Sequence, residues 1–243
     1  GPLLPEEQLK VEPASIAFAP NVPPPITRKD QRKLLLNLNA NVEAKNITPG
    51  EKFEWWPFNG QIPGPIVRAR VGDVLQVSFT NNDPTGMEHN IDFHAVDAPG
   101  GGANALNAGQ DVTSCATFRL THPGFFCYHC SVGPVGVHIG HGMFGSVIVE
   151  PEYGMPPVDK EFYIIQHEIY ADEPKTAQER AEAIADGQDP DLVGFDFEAG
   201  LAEHPRYVVY NGAVGSLTGE NSLKVDKGDR IRLFYGNAGP NLI

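Results

Sequence analysis

Two stretches of this chain follow one plan. Phe58 opens "FNGQIPGPIVRARVGDVLQVSF", and Tyr210 opens "YNGAVGSLTGENSLKVDKGDRIRLFY". Each runs aromatic-Asn-Gly and then Gly-Asp at the head of an alternating strand. Asn59 and Asn211 stand 152 residues apart, and Gly72 and Gly228 stand 156 apart. An internal repeat on this scale describes two units of one architecture. The alternation within it, clearest in "VRARVGDVLQVSF", is that of a half-buried strand. "LLLNLNANVEA", "SCATFRL", "FFCYHC" and "MFGSVIVE" add further β-prone runs bounded by Gly, Pro, Asn and Asp. With 26 Gly and 22 Pro among 243 residues, turn residues are available for many short strands. The expected fold is all-β: two Greek-key β-sandwich domains, the second incomplete in this chain. Its copy of the repeat stops soon after Gly-Asp, which leaves a core face and strand edges open.

Residues 1–30, with "APNVPPPITRKD", read as an extended Pro-rich arm, either laid on another surface or mobile. The first sandwich is expected over 31–152, a linker over 153–160 and the partial second sandwich over 161–243. Within the last, "KTAQERAEAIADG" at 175–187 is the only convincing helix, and Gly187 is placed to end it. "GGGAN" at 100–104 does not join a strand to a helix, so it reads as a flexible loop and not a phosphate cradle. A net charge of −13 disfavours nucleic acid and anionic membranes as partners and suits a basic protein. No apolar run approaches the ~20 residues of a membrane span. The three cysteines cannot all pair within the chain. Cys115 and Cys127 could pair in an oxidising compartment, but if Thr121 and Gly124 close a tight hairpin Cys127 faces Phe118, so free, buried thiols are the favoured expectation.

The chemistry lies between His89 and His141. "HNIDFH" supplies His89, Asp92 and His94; "FFCYHCSVGPVGVHIGHGM" supplies His129, Cys130, His138, His141 and Met143. A Cys-x7-His-x4-Met spacing on a strand–loop–strand, with an upstream His, suits a mononuclear blue-copper site. Two imidazoles and a thiolate make its trigonal plane, and a weak thioether lies on the axis. Zinc takes four strong ligands and seldom uses Met. Strand alternation then sorts the polar residues. Cys130 pointing inward puts His129 outward. With His89 inward, Asp92 and His94 stand an odd number of steps away and point outward. His89, Cys130, His138 and Met143 form an inner set; Asp92, His94 and His129 form an outer one. Two histidines need a third ligand, which an outward-facing site can take from another subunit. His141 reads as a surface residue and His122 as a structural residue of a turn; His167 and His204 have no partner in sequence.

"HNIDFHA", "PGFFCYHC", "VGVHIGHGMFGSVIVEP", "VDKEFYIIQHEIY" and "YNGAVGSLTGENSLKVDKGD…GNAGPNL" together resemble the copper-containing nitrite reductases over nearly the whole chain beyond residue 30. The Cys-x7-His loop is similar to the subgroup with the shorter loop. The resemblance implies a homotrimer of two-domain cupredoxin subunits that reduces nitrite to nitric oxide. It implies type 1 copper on His89, Cys130, His138 and Met143, fed by a cupredoxin or c-type cytochrome. It implies type 2 copper on His94 and His129, a proton-delivering Asp92, and electron transfer through Cys130–His129. The family's third type 2 ligand and second catalytic histidine lie in the later part of the second domain, and neither is present in this sequence. The resemblance also implies an exported protein, in the periplasm or on the outer cell surface.

Two other functions compete. A two-domain multicopper oxidase needs His-x-His pairs for a trinuclear centre, and Ser131 stands where a histidine would make "HCH". An electron-transfer cupredoxin without a catalytic type 2 site would use the inner set alone.

Overall fold

The computed structural model describes residues 2–241, so the last residues of the expected second unit, 242–243, lie outside the described residues. Fifteen strands among the described residues carry the fold. They are β1 (Lys10–Pro13), β2 (Ser15–Ala17), β3 (Arg32–Ala40), β4 (Glu43–Thr48), β5 (Glu51–Trp55), β6 (Ile66–Arg70), β7 (Val74–Asn81) and β8 (Asp92–Phe93). There follow β9 (Thr113–Arg119), β10 (Gly124–His129), β11 (Phe144–Glu150), β12 (Lys160–Ile169), β13 (Leu192–Val193), β14 (Tyr207–Tyr210) and β15 (Ile231–Asn237). Three short α-helices among the described residues are α1 (Val135–Gly140), α2 (Ala177–Ala185) and α3 (Phe197–Leu201). The fold is all-β, as the alternation and turn residues predict.

A four-stranded sheet in the order β1-β3-β7-β9 faces a five-stranded sheet in the order β2-β6-β11-β10-β8. Between them lies a core that includes Leu36, Leu38, Val77, Phe79, Phe93, Tyr128, Val147 and Val149. The five-stranded sheet is covered on its other face as well. There Phe144 and Ile148 join Phe53 and Trp55 from sheet β13-β5-β4, and Tyr163, Ile165 and Phe234 from sheet β14-β12-β15. Burial on both faces explains why β11 is buried at every position and reads as a continuous run instead of an alternating one. The outer face of the β12 sheet stays open, with Val208, Leu233 and Tyr235 exposed.

The repeat has one physical basis in both copies. Asn59 and Asn211 hold left-handed φ angles of 50° and 48°. Asn59 Oδ1 accepts the Asn39 N–H at 2.7 Å, and Asn211 Oδ1 accepts the Ile165 N–H at 2.9 Å. Each amide also donates to a carbonyl two residues earlier on the same strand, that of Asn37 or Tyr163, at 3.2 Å. The strands so gripped, β3 and β12, pair in parallel with the strand that follows each Gly-Asp, β7 and β15.

The N-terminal segment packs on the rest of the chain. β1 pairs with β3, β2 pairs with β6, and Arg28 donates to both oxygens of Asp73. A buried Arg68 joins three regions, donating to Glu150, Glu161 and the Pro23 carbonyl. No helix among the described residues is long and apolar enough to cross a membrane.

Three expectations need correction. β9 and β10 do not form a hairpin: β9 pairs with β7, and β10 pairs with β11 and β8. The Thr121–Gly124 segment therefore crosses between sheets, and Cys127 does not face Phe118's strand. Cys115 and Cys127 are free thiols, but both are exposed. Helix 177–185 is not the only one, because α1 and α3 also form. α2 itself begins with a capping box, Thr176 with Glu179, and Gly187 follows it at φ 71°.

Candidate metal centres

β10 sets out both centres. Its odd and even residues face opposite sides of a sheet that is covered on both faces. Tyr128 points into the first core, and Cys130, just past the strand end, follows it to full burial. Cys127 and His129 point to the other side, where they line a cavity of about 580 Å³ together with His94. Asp92 lies directly opposite His129 in the β8–β10 ladder, so the two side chains share a face. His94, two residues on, shares it too, and its N–H donates to the Cys127 carbonyl at 3.0 Å.

The inner group is His89, Cys130 and His138, all buried. The two Nδ1 atoms stand 3.2 Å apart, and Cys130 Sγ lies 3.3 Å from that of His138 and 3.9 Å from that of His89. Donors on a trigonal ion with bonds of about 2.0–2.3 Å stand roughly 3.5–3.8 Å apart, close to this spacing. Met143 is fully buried beside them; its N–H donates to the His138 carbonyl and its carbonyl accepts the Cys130 N–H, at 3.2 and 3.1 Å. The ligand loop is part helical: His138 sits in α1 instead of an open strand–loop–strand.

The surroundings prepare these groups. His89 Nε2 lies 2.7 Å from the buried Asp83 carboxylate, which takes its proton as a hydrogen bond and leaves Nδ1 free to bind. Burial works to raise the Asp83 carboxyl, but hydrogen bonds from Thr85 and His89 outweigh it and hold it low. Burial lowers His89, and burial with the nearby His89 and His141 rings lowers His138 to about 4, so both rings are neutral bases near pH 7. Burial pushes the Cys130 thiol up, so binding of a metal there must expel its proton. Two imidazoles, a thiol and a thioether in a dry site suit copper better than zinc.

The outer group is Asp92, His94 and His129. His94 Nε2 and His129 Nε2 approach to 3.1 Å, and Asp92 Oδ1 lies 3.9 Å from His94 Nε2. His129 Nδ1 donates to the Cys130 carbonyl at 3.0 Å, which leaves the Nε2 lone pair free to accept or to bind. The half-exposed His94 opens the group to the cavity, so it has accessible coordination positions that the inner group lacks. Borderline imidazole nitrogens with an adjacent carboxylate also fit copper.

Other sequence expectations change. His141 is not a surface residue: it is buried, stacked on Trp56 at 3.8 Å and on Phe195 at 4.8 Å, and its Nδ1 donates to the Val137 carbonyl. Trp56, not singled out from sequence, also packs edge-on against His138 at 5.1 Å. Asp83 was missed too; its only sequence signal is an Asp-Pro turn six residues before His89. His167 has a partner, the Gly212 N–H, at 2.9 Å. "GGGAN" is not a loose loop, since Gly101 and Gly102 pack against Asp92 and Phe118.

A multicopper oxidase family model matches residues 41–154. A copper-containing nitrite reductase of Neisseria meningitidis serogroup B is 41% identical over 239 residues, covering 98% of this chain. By sequence, this chain belongs to the copper-containing nitrite reductases. A relative of the same description from Neorhizobium galegae is 30% identical over 98% of the chain. The chain spans 58% of the length of the Neisseria relative and 65% of the Neorhizobium one. Among solved structures, the copper nitrite reductase of Nitrosomonas europaea aligns with a TM-score of 0.70 at 28% identity, over 87% of this chain and 70% of that one. A multicopper oxidase structure aligns with a TM-score of 0.68 at 24% identity, over 94% of this chain and 68% of that one, which speaks for the cupredoxin fold alone. In this member of the copper nitrite reductase family, one donor of each group lies on β10 and the residue after it, His129 and Cys130.

Proposed function

We propose that the protein reduces nitrite to nitric oxide and water with one electron and two protons. The observation that carries this reading is the His129–Cys130 peptide bond, which joins two donor groups of different character. In this reading His89, Cys130, His138 and Met143 hold type 1 copper, and His94 and His129 hold type 2 copper. When bound, copper supplies a reversible one-electron store at the inner group and an exchangeable Lewis-acid position for nitrite at the outer one.

The residues do the rest. The inner group is buried and closed to water, which keeps substrate away from the electron store. Electrons from a basic redox partner, a cupredoxin or c-type cytochrome, cross from the Cys130 side to the His129 side through one peptide bond. His129 and His94 would hold the ion that binds nitrite beside Asp92, whose carboxyl would give one of the two protons to the departing oxygen, the other coming from solvent. His94 faces a broad cavity, and in the proposed homotrimer the outer site is shared between subunits, so that a neighbouring subunit completes the ligand set. The proposal extends to a role in denitrification and to an exported location, in the periplasm or on the outer cell surface. Multicopper-oxidase chemistry is disfavoured, because the sequence has no His-x-His pair.

The test is copper analysis alongside nitrite turnover with detection of nitric oxide. Two coppers per chain and nitric oxide release are expected. One copper without turnover would leave an electron carrier, and reduction of oxygen in preference to nitrite would point to an oxidase.

A further inference from the structure

Asp92 stands on a strand of two residues, and β8 pairs with β10 at the edge of its sheet. So short a strand gives little hold on a side chain. The turn that follows supplies it. Gly100, Gly101 and Gly102 hold φ angles of 55°, 54° and 84°, the left-handed region that L side chains avoid. The three glycines differ in what surrounds them. A Cβ on Gly101 would stand 2.0 Å from Asp92 Oδ1 and 2.5 Å from the Phe93 nitrogen. One on Gly102 would stand 2.3 Å from the Phe118 ring, and one on Gly100 would meet nothing within 4 Å. Gly101 N–H closes the turn on the Ala98 carbonyl at 3.0 Å. The turn is thus held between Phe118 of β9 on one side and Asp92 on the other.

We infer that Gly101 is a positioning residue: its bare backbone is a wall that keeps the Asp92 carboxylate turned toward His94 and His129. This rests on the proposed proton role of Asp92. Oδ1 is the atom that meets Gly101, and the same atom lies nearest His94 Nε2. A side chain at Gly101 removes the space Oδ1 occupies and crowds the Phe93 N–H and carbonyl, so the carboxylate is driven off the outer group as the turn backs away from β8. A misplacement of about 1 Å in a reacting group can cost on the order of 100-fold in rate.

Gly101→Ala and Gly100→Ala provide the test in the complete protein, because both put an L residue at nearly the same φ and only the first meets Asp92. For Gly101→Ala we expect kcat to fall by at least about 10-fold. KM for nitrite, copper content and the visible spectrum should hold. A crystal structure of the metal-free protein should show the Asp92 carboxylate displaced. Gly100→Ala should keep wild-type kcat and carboxylate position. An equal fall in both variants would mean backbone strain alone and would overturn the inference, as would an unmoved carboxylate in Gly101→Ala. A displaced carboxylate with unchanged kcat would retain the wall and overturn the proton role instead. If Gly101→Ala does not fold, Phe118→Ala removes the opposite side of the clamp. It should then show a second Asp92 rotamer and a lowered kcat at unchanged KM; a single wild-type rotamer would overturn the inference.

Discussion

His89 uses its two ring nitrogens for different tasks, Nδ1 toward Cys130 and His138 and Nε2 toward Asp83. A neutral imidazole has one donor and one acceptor nitrogen, so the Asp83 bond decides which lone pair faces the metal. Asp83→Asn therefore weakens copper binding at the inner group by about 10–100-fold. A chelator competition assay, with the thiolate absorption as the signal, measures this; an affinity within two-fold of wild type would refute the orienting role. Asp92→Asn has a different outcome. On the proposed mechanism its amide cannot deliver the proton, so turnover should fall by on the order of 100-fold or more with copper content unchanged. Full copper with unchanged turnover would remove Asp92 from the proton path. The sorting of Cys130 from His129 was legible in sequence because strand parity is fixed by backbone geometry. Asp83, Trp56 and the burial of His141 were not, because each depends on which distant residue arrives beside it.

At the scale of elements, the Asn-Gly motifs were legible as a repeat, but their function was not. Each asparagine replaces part of a ladder, fastening a turn to the strand that precedes it by a side-chain acceptor and a side-chain donor. Asn is among the few non-glycine residues that visit left-handed φ routinely. Asn59→Ala and Asn211→Ala each lose both hydrogen bonds and gain backbone strain, so each should cost about 2–3 kcal/mol of stability. Denaturant melts would show this, and a loss under 0.5 kcal/mol at both sites would refute the shared role. The hairpin expected between β9 and β10 failed for a related reason. A short turn between two β-prone runs is compatible with a hairpin or with a crossing between facing sheets. Here β7 and β11 offer pairing partners in different sheets. The alternation of β10 is equally silent about which face holds solvent: both faces are covered, yet one opens into a cavity beside His129.

Across the whole molecule, two cores share the five-stranded sheet, and polar groups lie in the seam. His167 is fully enclosed there between Trp55 and Phe144, at 5.8 and 5.1 Å, and accepts the Gly212 N–H through Nε2. Burial lowers its pKa from 6.5 to about 3. The sign of the consequence follows from proton counting. Between about pH 6.5 and 3 the unfolded chain binds a proton at His167 that the folded chain refuses. Stability from this group is therefore full above pH 6.5 and declines as the pH falls, by up to about 1.4 kcal/mol per pH unit for one proton, until the folded state also takes up the proton near 3. His89 and His138 add slopes of the same sign, and acidic groups such as Glu161 add their own at lower pH. A difference between variants isolates the one residue. His167→Gln keeps an acceptor but loses the ring packing, and should be about 1–3 kcal/mol less stable at pH 7. From pH 7 to pH 5 it should then lose less stability than the wild-type chain, so that the two curves converge. Urea melts of the metal-free proteins at both pH values measure the gap; a gap that stays constant would show that His167 carries no proton linkage.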